Sequence, residues 1–327
     1  MLFQKAPFLF AGITVMSFAL DLKKELASKE PEKACCQLAE ISGFLRSSSS
    51  AILDKSGHFG FKAVTGEPSV ARHYKKLIKE YFSLNPELKI QETNRFGKTR
   101  KYVLTLSSEE GGEQVLRETG ILMIRKGRNY ITDGIMDSLI RTKCCRKSYL
   151  KGAFLGAGAV SDPKKGYHME FKCGSKGFAN DMKKLIETFY GLSCGISERR
   201  GKYVVYMKKA SNIGDTFVLM GGDKFKLELE NTMLEKHYSG KAARITNFDD
   251  ANSDRAIDAA GKQVEAIKAL KRSGKYDSMP AKLKEIAELR LKNPELTIKQ
   301  LGEKLDPPLK KSGVNNRLKR IMELARN

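Results

Sequence analysis

Residues 150–158 read LKGAFLGAG, an apolar helical pattern broken by Gly152 and Gly156, which stand four apart and so share one helix face. Glycine inside a helix costs about 0.5–1 kcal/mol relative to alanine, so such a pair implies that another backbone comes too close for a Cβ. The partner must be equally small. Residues 38–49, LAEISGFLRSSS, supply it, with Gly43 and Ser47 also four apart. A vicinal cysteine pair precedes each segment, Cys35-Cys36 before Gly43 and Cys144-Cys145 before Gly152.

Gly43 and Gly152 lie 109 residues apart, and roughly this offset persists downstream, as an internal duplication requires. His58-Phe59-Gly60-Phe61-Lys62 recurs as His168-Met169-Glu170-Phe171-Lys172. Lys75-Lys76-Leu77-Ile78 recurs as Lys183-Lys184-Leu185-Ile186, and Lys101-Tyr102-Val103 as Lys202-Tyr203-Val204. The first copy, 33–122, reads helix, two strands, helix, two strands, helix. Phe59, Phe61 and Ala63 alternate with His58, Gly60 and Lys62, which gives a strand one covered and one polar face. Residues 70–82 follow as a helix ended by Asn85-Pro86, then a basic turn at 94–98 leads into a strand at 102–106. Gly111-Gly112 breaks the chain before the last short helix. The second copy, 144–222, repeats the plan: Tyr167, Met169, Phe171 and Cys173 form the covered face, and His168, Glu170 and Lys172 the open one. SERRGK at 197–202 is its basic hairpin.

The glycine-broken segment resembles the LAGLIDADG helix of homing endonucleases, whose two motif helices pack side by side on a pseudo-two-fold axis. In active members of that family the eighth motif residue is an acid that holds a divalent metal over the scissile phosphates. Here those positions are Ala157 and Ser48, so both catalytic carboxylates are missing and no catalytic residue is expected. An alternative reading relocates the acids to Asp54 and Asp162 as a metal-dependent DNA endonuclease, since a divalent cation needs oxygen ligands. Both residues sit in ordinary turn sequences.

The chain of 327 residues carries 60 lysines and arginines against 38 acids, a net charge of +22 that predicts a polyanionic partner. Nucleic acid is favoured over a membrane: no run approaches the roughly 20 apolar residues of a span, and tryptophan, a common interface anchor, is absent. In a two-repeat saddle the open sheet faces would form a groove for a nucleic-acid backbone lined by Lys62, Lys172, Arg199, Arg200 and Lys208. The six cysteines lack C-x-x-C spacing, so no metal and no cofactor is expected and free thiols in a reducing compartment are the reading adopted; a four-cysteine cluster joining the two pairs is the alternative. Residues 1–15, with Lys5 before an apolar run, read either as a signal-peptide fragment or as an extension from an upstream start codon, because Met16-Ser17-Phe18 before the amphipathic stretch 20–27 makes a beginning of its own.

Beyond Gly240 the pattern becomes helix without strand. Asp249, Asp250 and Asp254 are predicted to cap a helix that runs to Arg272, with Ile257, Ala260, Val264, Ile267 and Leu270 as its buried stripe and Ser273-Gly274 as its close. Met279-Pro280 then opens a helix that Asn293-Pro294 stops, and Thr297–Gln300 forms a capping box for a short second helix ending near Leu305. After the turn Asp306-Pro307-Pro308, Ser312 is predicted to cap a third helix with Val314, Leu318, Ile321 and Ala325 inward. That leaves Ser312, Asn315, Asn316 and Lys319 outward, flanked by Lys310, Lys311, Arg317 and Arg320, with no carboxylate from Pro307 to Met322. A short helix, a turn and a basic, amide-rich helix make a helix-turn-helix: asparagine bonds bidentately to adenine in the major groove, while lysine and arginine reach phosphates or guanine.

A degenerate LAGLIDADG pair followed by a helix-turn-helix resembles the WhiA family of bacterial DNA-binding regulators. The resemblance covers residues 16–327 and rests on MSFALDLKKEL, CCRKSYLKGAFLGAGAVSDPKKGYHMEF, RITNFDDAN, MPAKLKEIAELR and KKSGVNNRL, with Asn316 where the family often has histidine. It implies an α+β fold: a pseudo-two-fold LAGLIDADG-like αββαββα duplication (16–130 and 131–238) followed by an all-α helix-turn-helix domain (239–327), after the 1–15 extension. It further implies a cytoplasmic, nucleoid-associated regulator of cell division, chromosome segregation or sporulation genes. Its partners would be double-stranded promoter DNA and other transcription or division proteins, with no membrane. An RNA-binding or scaffolding role in division is the remaining alternative.

Overall fold

The computed structural model describes residues 17–93, 99–199 and 201–326, and the chain divides into two compact units, one ending at Leu234 and the other starting at Glu235. Residues 1–16, the basic turn 94–98, Arg200 and Asn327 lie outside the described residues.

The first unit begins with α1 (Phe18–Ser28), capped by the Ser17 hydroxyl, which accepts from the Leu20 amide. The first repeat follows as α2 (Ala34–Ser48), β1 (Ser49–Leu53), β2 (Phe59–Thr65), α3 (Pro68–Phe82), β3 (Glu87–Thr93), β4 (Thr99–Leu106) and α4 (Gly112–Glu118). A short hairpin of β5 (Leu122–Arg125) and β6 (Arg128–Ile131), unforeseen in the sequence, links it to the second. The second repeat runs α5 (Lys143–Ala157), β7 (Gly158–Val160), β8 (Met169–Cys173), α6 (Lys176–Glu187), β9 (Gly195–Arg199), β10 (Lys202–Met207) and α7 (Ala210–Met220). The two antiparallel sheets have the same topology, β1-β2-β4-β3 and β7-β8-β10-β9, so αββαββα occurs twice.

Helices α2 and α5 pack along each other through the predicted glycines. A Cβ built on Gly152 would stand 2.1 Å from the Glu40 carbonyl oxygen, and one on Gly43 2.3 Å from that of Tyr149. The repeat offset maps Gly43 onto Gly152 and Glu40 onto Tyr149, so the two contacts are the same contact seen from either repeat. Around this seam one apolar core buries Phe44, Tyr74, Tyr149, Phe154 and Phe171, with Phe44 stacked on Tyr74 at 3.6 Å between ring centroids. Phe61, Ala63, Met169, Phe171 and Cys173 are buried on the covered sheet faces as alternation predicts.

Helix α8 spans Asp223–Arg272 without interruption. Asp249, Asp250 and Asp254 therefore lie in mid-helix and not at a helix start; the apparent start near Gly240 reflects a weakly patterned stretch whose backbone stays helical. Ile257 is 67% exposed rather than buried, whereas Ala260, Ile267 and Leu270 are buried as expected. The second unit continues with α9 (Ala281–Lys292), α10 (Ile298–Glu303) and α11 (Lys311–Arg326). Its core joins Ile267 and Leu270 to Ile286, Ala287, Leu301, Leu305, Val314, Leu318 and Ile321. Among the described residues no helix is long and apolar enough to cross a membrane.

Candidate nucleic-acid interface

Helix α10 opens on the predicted capping box: the Thr297 hydroxyl accepts from the Gln300 amide, and the Gln300 side chain accepts from the Thr297 amide at 2.9 Å. Leu301 and Leu305 anchor it against Val314 and Leu318 of α11, and the Leu309 amide donates to the Gly302 carbonyl at 2.9 Å, which folds the turn back on the helix. Beneath lies Arg290, 2% exposed, whose guanidinium donates to the carbonyls of Pro294 and Leu296 and so fixes the α9–α10 loop. Sequence periodicity cannot reveal this role, because an arginine in a helix reads as a surface residue.

Helix α11 starts at Lys311, and the Lys310 carbonyl accepts the first helical bond from the Val314 amide. Lys310 is thus the cap, and Ser312 stands in the first turn. Lys310, Lys311, Ser312, Asn315, Asn316, Lys319 and Arg320 are all exposed. Arg317 departs from the expectation: half-buried, it donates to the Lys282 carbonyl at 3.3 Å and lies 3.6 Å from Glu285, so it braces α11 against α9 instead of facing outward. Arg320 is within 3.1 Å of Glu323, an exposed pair easily exchanged for a phosphate.

On the first sheet Lys62 stands opposite Ser50 and Thr105; on the second Lys172 stands opposite Val204. Lys208 follows β10 and places its ammonium 5.5 Å over the Tyr206 ring. His168 stacks on that same ring and reaches Glu170 at 3.2 Å, so the open face of the second sheet mixes an acid among its cations. The Arg199 side chain and all of Arg200 lie outside the described residues. Sequence reasoning missed Lys23, whose pKa is lowered to about 8 by burial and by the nearby Lys172 charge, against a smaller opposing effect of Glu67. Below about pH 8 the folded and unfolded chains both hold that proton; between 8 and 10.5 only the unfolded chain does, so stability rises with pH across the window. Lys23→Met is expected to abolish this rise, and a native-minus-variant stability difference that stays flat from pH 8 to 10.5 would refute it.

At the catalytic positions of active LAGLIDADG helices, the Ser48 hydroxyl donates to the Phe44 carbonyl at 2.7 Å and Ala157 offers no ligand. Asp54, in the turn after β1, accepts from the backbone amides of Ser56 and His58 and from the Ser108 hydroxyl. The Ser108 bond first, then the His58 and Ser56 amides, hold its carboxyl below the usual range. Asp162, in the turn after β7, accepts from the Lys164 amide. Both carboxylates accept from amides of their own turns, and Asp54 also from Ser108, which follows β4.

Three family models match the chain in succession: the WhiA N-terminal LAGLIDADG-like domain over residues 34–122, the WhiA LAGLIDADG-like domain over 146–239 and the WhiA C-terminal HTH domain over 242–325. A protein of Alkaliphilus metalliredigens named "Probable cell division protein WhiA" is 36% identical over 310 residues, covering 95% of this chain and 98% of its own. One of the same name from Thermoanaerobacter pseudethanolicus is 37% identical over 311 residues, with the same coverage. The crystal structure of full-length WhiA from Thermatoga maritima shares the fold with a TM-score of 0.56 at 23% identity, over 95% of this chain and 98% of that one.

Proposed function

The chain belongs to the WhiA family, and from that premise we propose that it is a sequence-specific DNA-binding regulator of transcription whose LAGLIDADG-like unit binds without cutting. The observation that carries the reading is the outer face of α11, where Ser312, Asn315, Asn316 and Lys319 are exposed side by side with no carboxylate before Glu323. Asn315 reads an adenine, and Lys310, Lys311 and Lys319 bind phosphates or guanine. The saddle of Lys62, Lys172, Arg199, Arg200 and Lys208 adds backbone affinity. The absence of acids at Ser48 and Ala157 and the turn duties of Asp54 and Asp162 favour binding over hydrolysis. Its genes are those of cell division, as the names of its relatives suggest, with chromosome segregation and sporulation in the same circle. Its place is the cytoplasm, on the nucleoid.

Asn315→Ala with Lys319→Ala tests the reading by crosslinking and sequencing of bound DNA. Sharp promoter peaks are expected for the native chain and their loss for the variant, since one bidentate base contact is worth about 1–3 kcal/mol of discrimination. In binding assays, Lys62→Ala or Lys172→Ala should weaken all sequences alike and reduce the salt slope by about 0.9 per lost phosphate contact. Peaks unchanged in the double variant would remove α11 as the reader, and preference for RNA over duplex DNA would favour the scaffolding alternative.

A further inference from the structure

The two vicinal cysteine pairs occupy the same place in the two repeats, the second and third residues of α2 and of α5. Packing of those helices brings the pairs together. Cys36 Sγ and Cys145 Sγ, both buried, are 4.0 Å apart, and the sulfurs of Cys35, Cys36 and Cys145 all lie within 4.8 Å of one another. Cys144 stands beside this group of three, with its sulfur 3.1 Å from the Thr142 hydroxyl.

The geometry points to a binding site for one thiophilic divalent cation of the zinc class between the N-terminal turns of the two motif helices, held by Cys35, Cys36 and Cys145, with Cys144 swinging in from beside them as the fourth ligand. Zinc–sulfur bonds of about 2.3 Å in a tetrahedron set the sulfurs about 3.8 Å apart, close to the spacing of the buried pair, whereas a disulfide requires about 2.05 Å. Burial pushes the Cys36 thiol up to about 12 and raises that of Cys145, and the two helix N-termini, which favour negative charge, work against that cost when a cation binds. Lys33, Lys143 and Arg146, each within three residues of a thiol, bring compensating cations. Cys35 is exposed and Cys144 half-buried, which leaves the cation a path in while Cys36 and Cys145 form the floor. Binding would pin the two repeats together at one end of their shared seam. Binding deprotonates the thiols and releases those protons to solvent; no electron changes hands.

The test uses the full-length chain, reduced and stripped of metal, titrated with cobalt(II). One equivalent is expected to produce visible d–d bands and near-ultraviolet thiolate charge transfer, both lost on adding zinc. Zinc alone should raise the melting temperature and protect Cys35 and Cys144 from alkylation. Cys36→Ser with Cys145→Ser should lose the cobalt spectrum, and Cys194→Ser should keep it. Absence of a thiolate–cobalt spectrum in the native chain would overturn the proposal, whatever the fate of the variants. So would a spectrum that survives in the Cys36/Cys145 variant, or a Cys36–Cys145 disulfide in a chain that takes up no cobalt once reduced.

Discussion

Gly152→Ala is expected to destabilise the N-terminal unit by about 2–4 kcal/mol, although alanine is the better helix former by about 1 kcal/mol. The added Cβ would fall 2.1 Å from the Glu40 carbonyl oxygen, and its next neighbours are the Glu40 carbonyl carbon and the Phe44 amide nitrogen, both 3.0 Å away. Those atoms are backbone, so no side-chain rotation relieves the clash and the two helices must separate. Separation loosens the seam that buries Phe44, Tyr149 and Phe154, and overpacking of a rigid contact costs typically 1–3 kcal/mol before that loss is added. Gly43→Ala, 2.3 Å from the Tyr149 carbonyl oxygen, should act alike. Gly240→Ala supplies the control: it lies inside α8 with nothing within 4 Å of the new carbon, so it should stabilise by up to about 1 kcal/mol. Urea unfolding of the three variants decides, and a Gly152→Ala protein as stable as Gly240→Ala would mean that the helices do not approach as described.

These glycines were legible in the sequence because glycine at helical spacing inside an apolar run has few causes. The duplicated αββαββα plan followed from the same reasoning: a period of two in each strand and a repeat offset near 109 are properties of the chain read on its own. The helix-turn-helix was legible too, since its capping box and proline turn are local signals. What could not be read was whatever depends on where a long side chain goes. Arg317 borders the buried stripe of Val314, Leu318 and Ile321, and its turn inward depends on the Lys282 carbonyl and Glu285 of α9, which the α11 sequence does not show. The helix from Asp223 to Arg272 looks shorter in the sequence than it is, because three aspartates after Gly240 mimic a cap while the backbone bonds that continue the helix leave no mark in composition. Arg290 was invisible for the same reason: its partners are main-chain carbonyls of a loop whose path only the fold defines.

Lys151→Met is the second substitution expected to be severe, at about 3–5 kcal/mol, and its cause is the only carboxylate of helix α2 that is fully enclosed. Glu40 is 1% exposed; its Oε1 lies 2.8 Å from His73 Nε2 and 3.0 Å from Lys151 Nζ, while its Oε2 has no hydrogen-bond partner. The Lys151 ammonium also donates to the Lys29 carbonyl, so one buried cation ties α5 to α2 and to the end of α1. Without it the carboxylate keeps no cation but the histidine, with the Tyr74 hydroxyl beside it, and an uncompensated charge in the core costs more than the pair contributed. Glu40→Leu combined with Lys151→Met should therefore recover most of the loss, because both charges leave together and the new side chains extend the apolar seam. A double-mutant cycle in urea measures this: a favourable coupling of more than about 1 kcal/mol is expected for groups in direct contact, and simple additivity would show that the pair holds nothing together. The acid retained in the two packed helices is thus locked between a lysine and a histidine inside the seam, and its release by Lys151→Met is what the cycle measures.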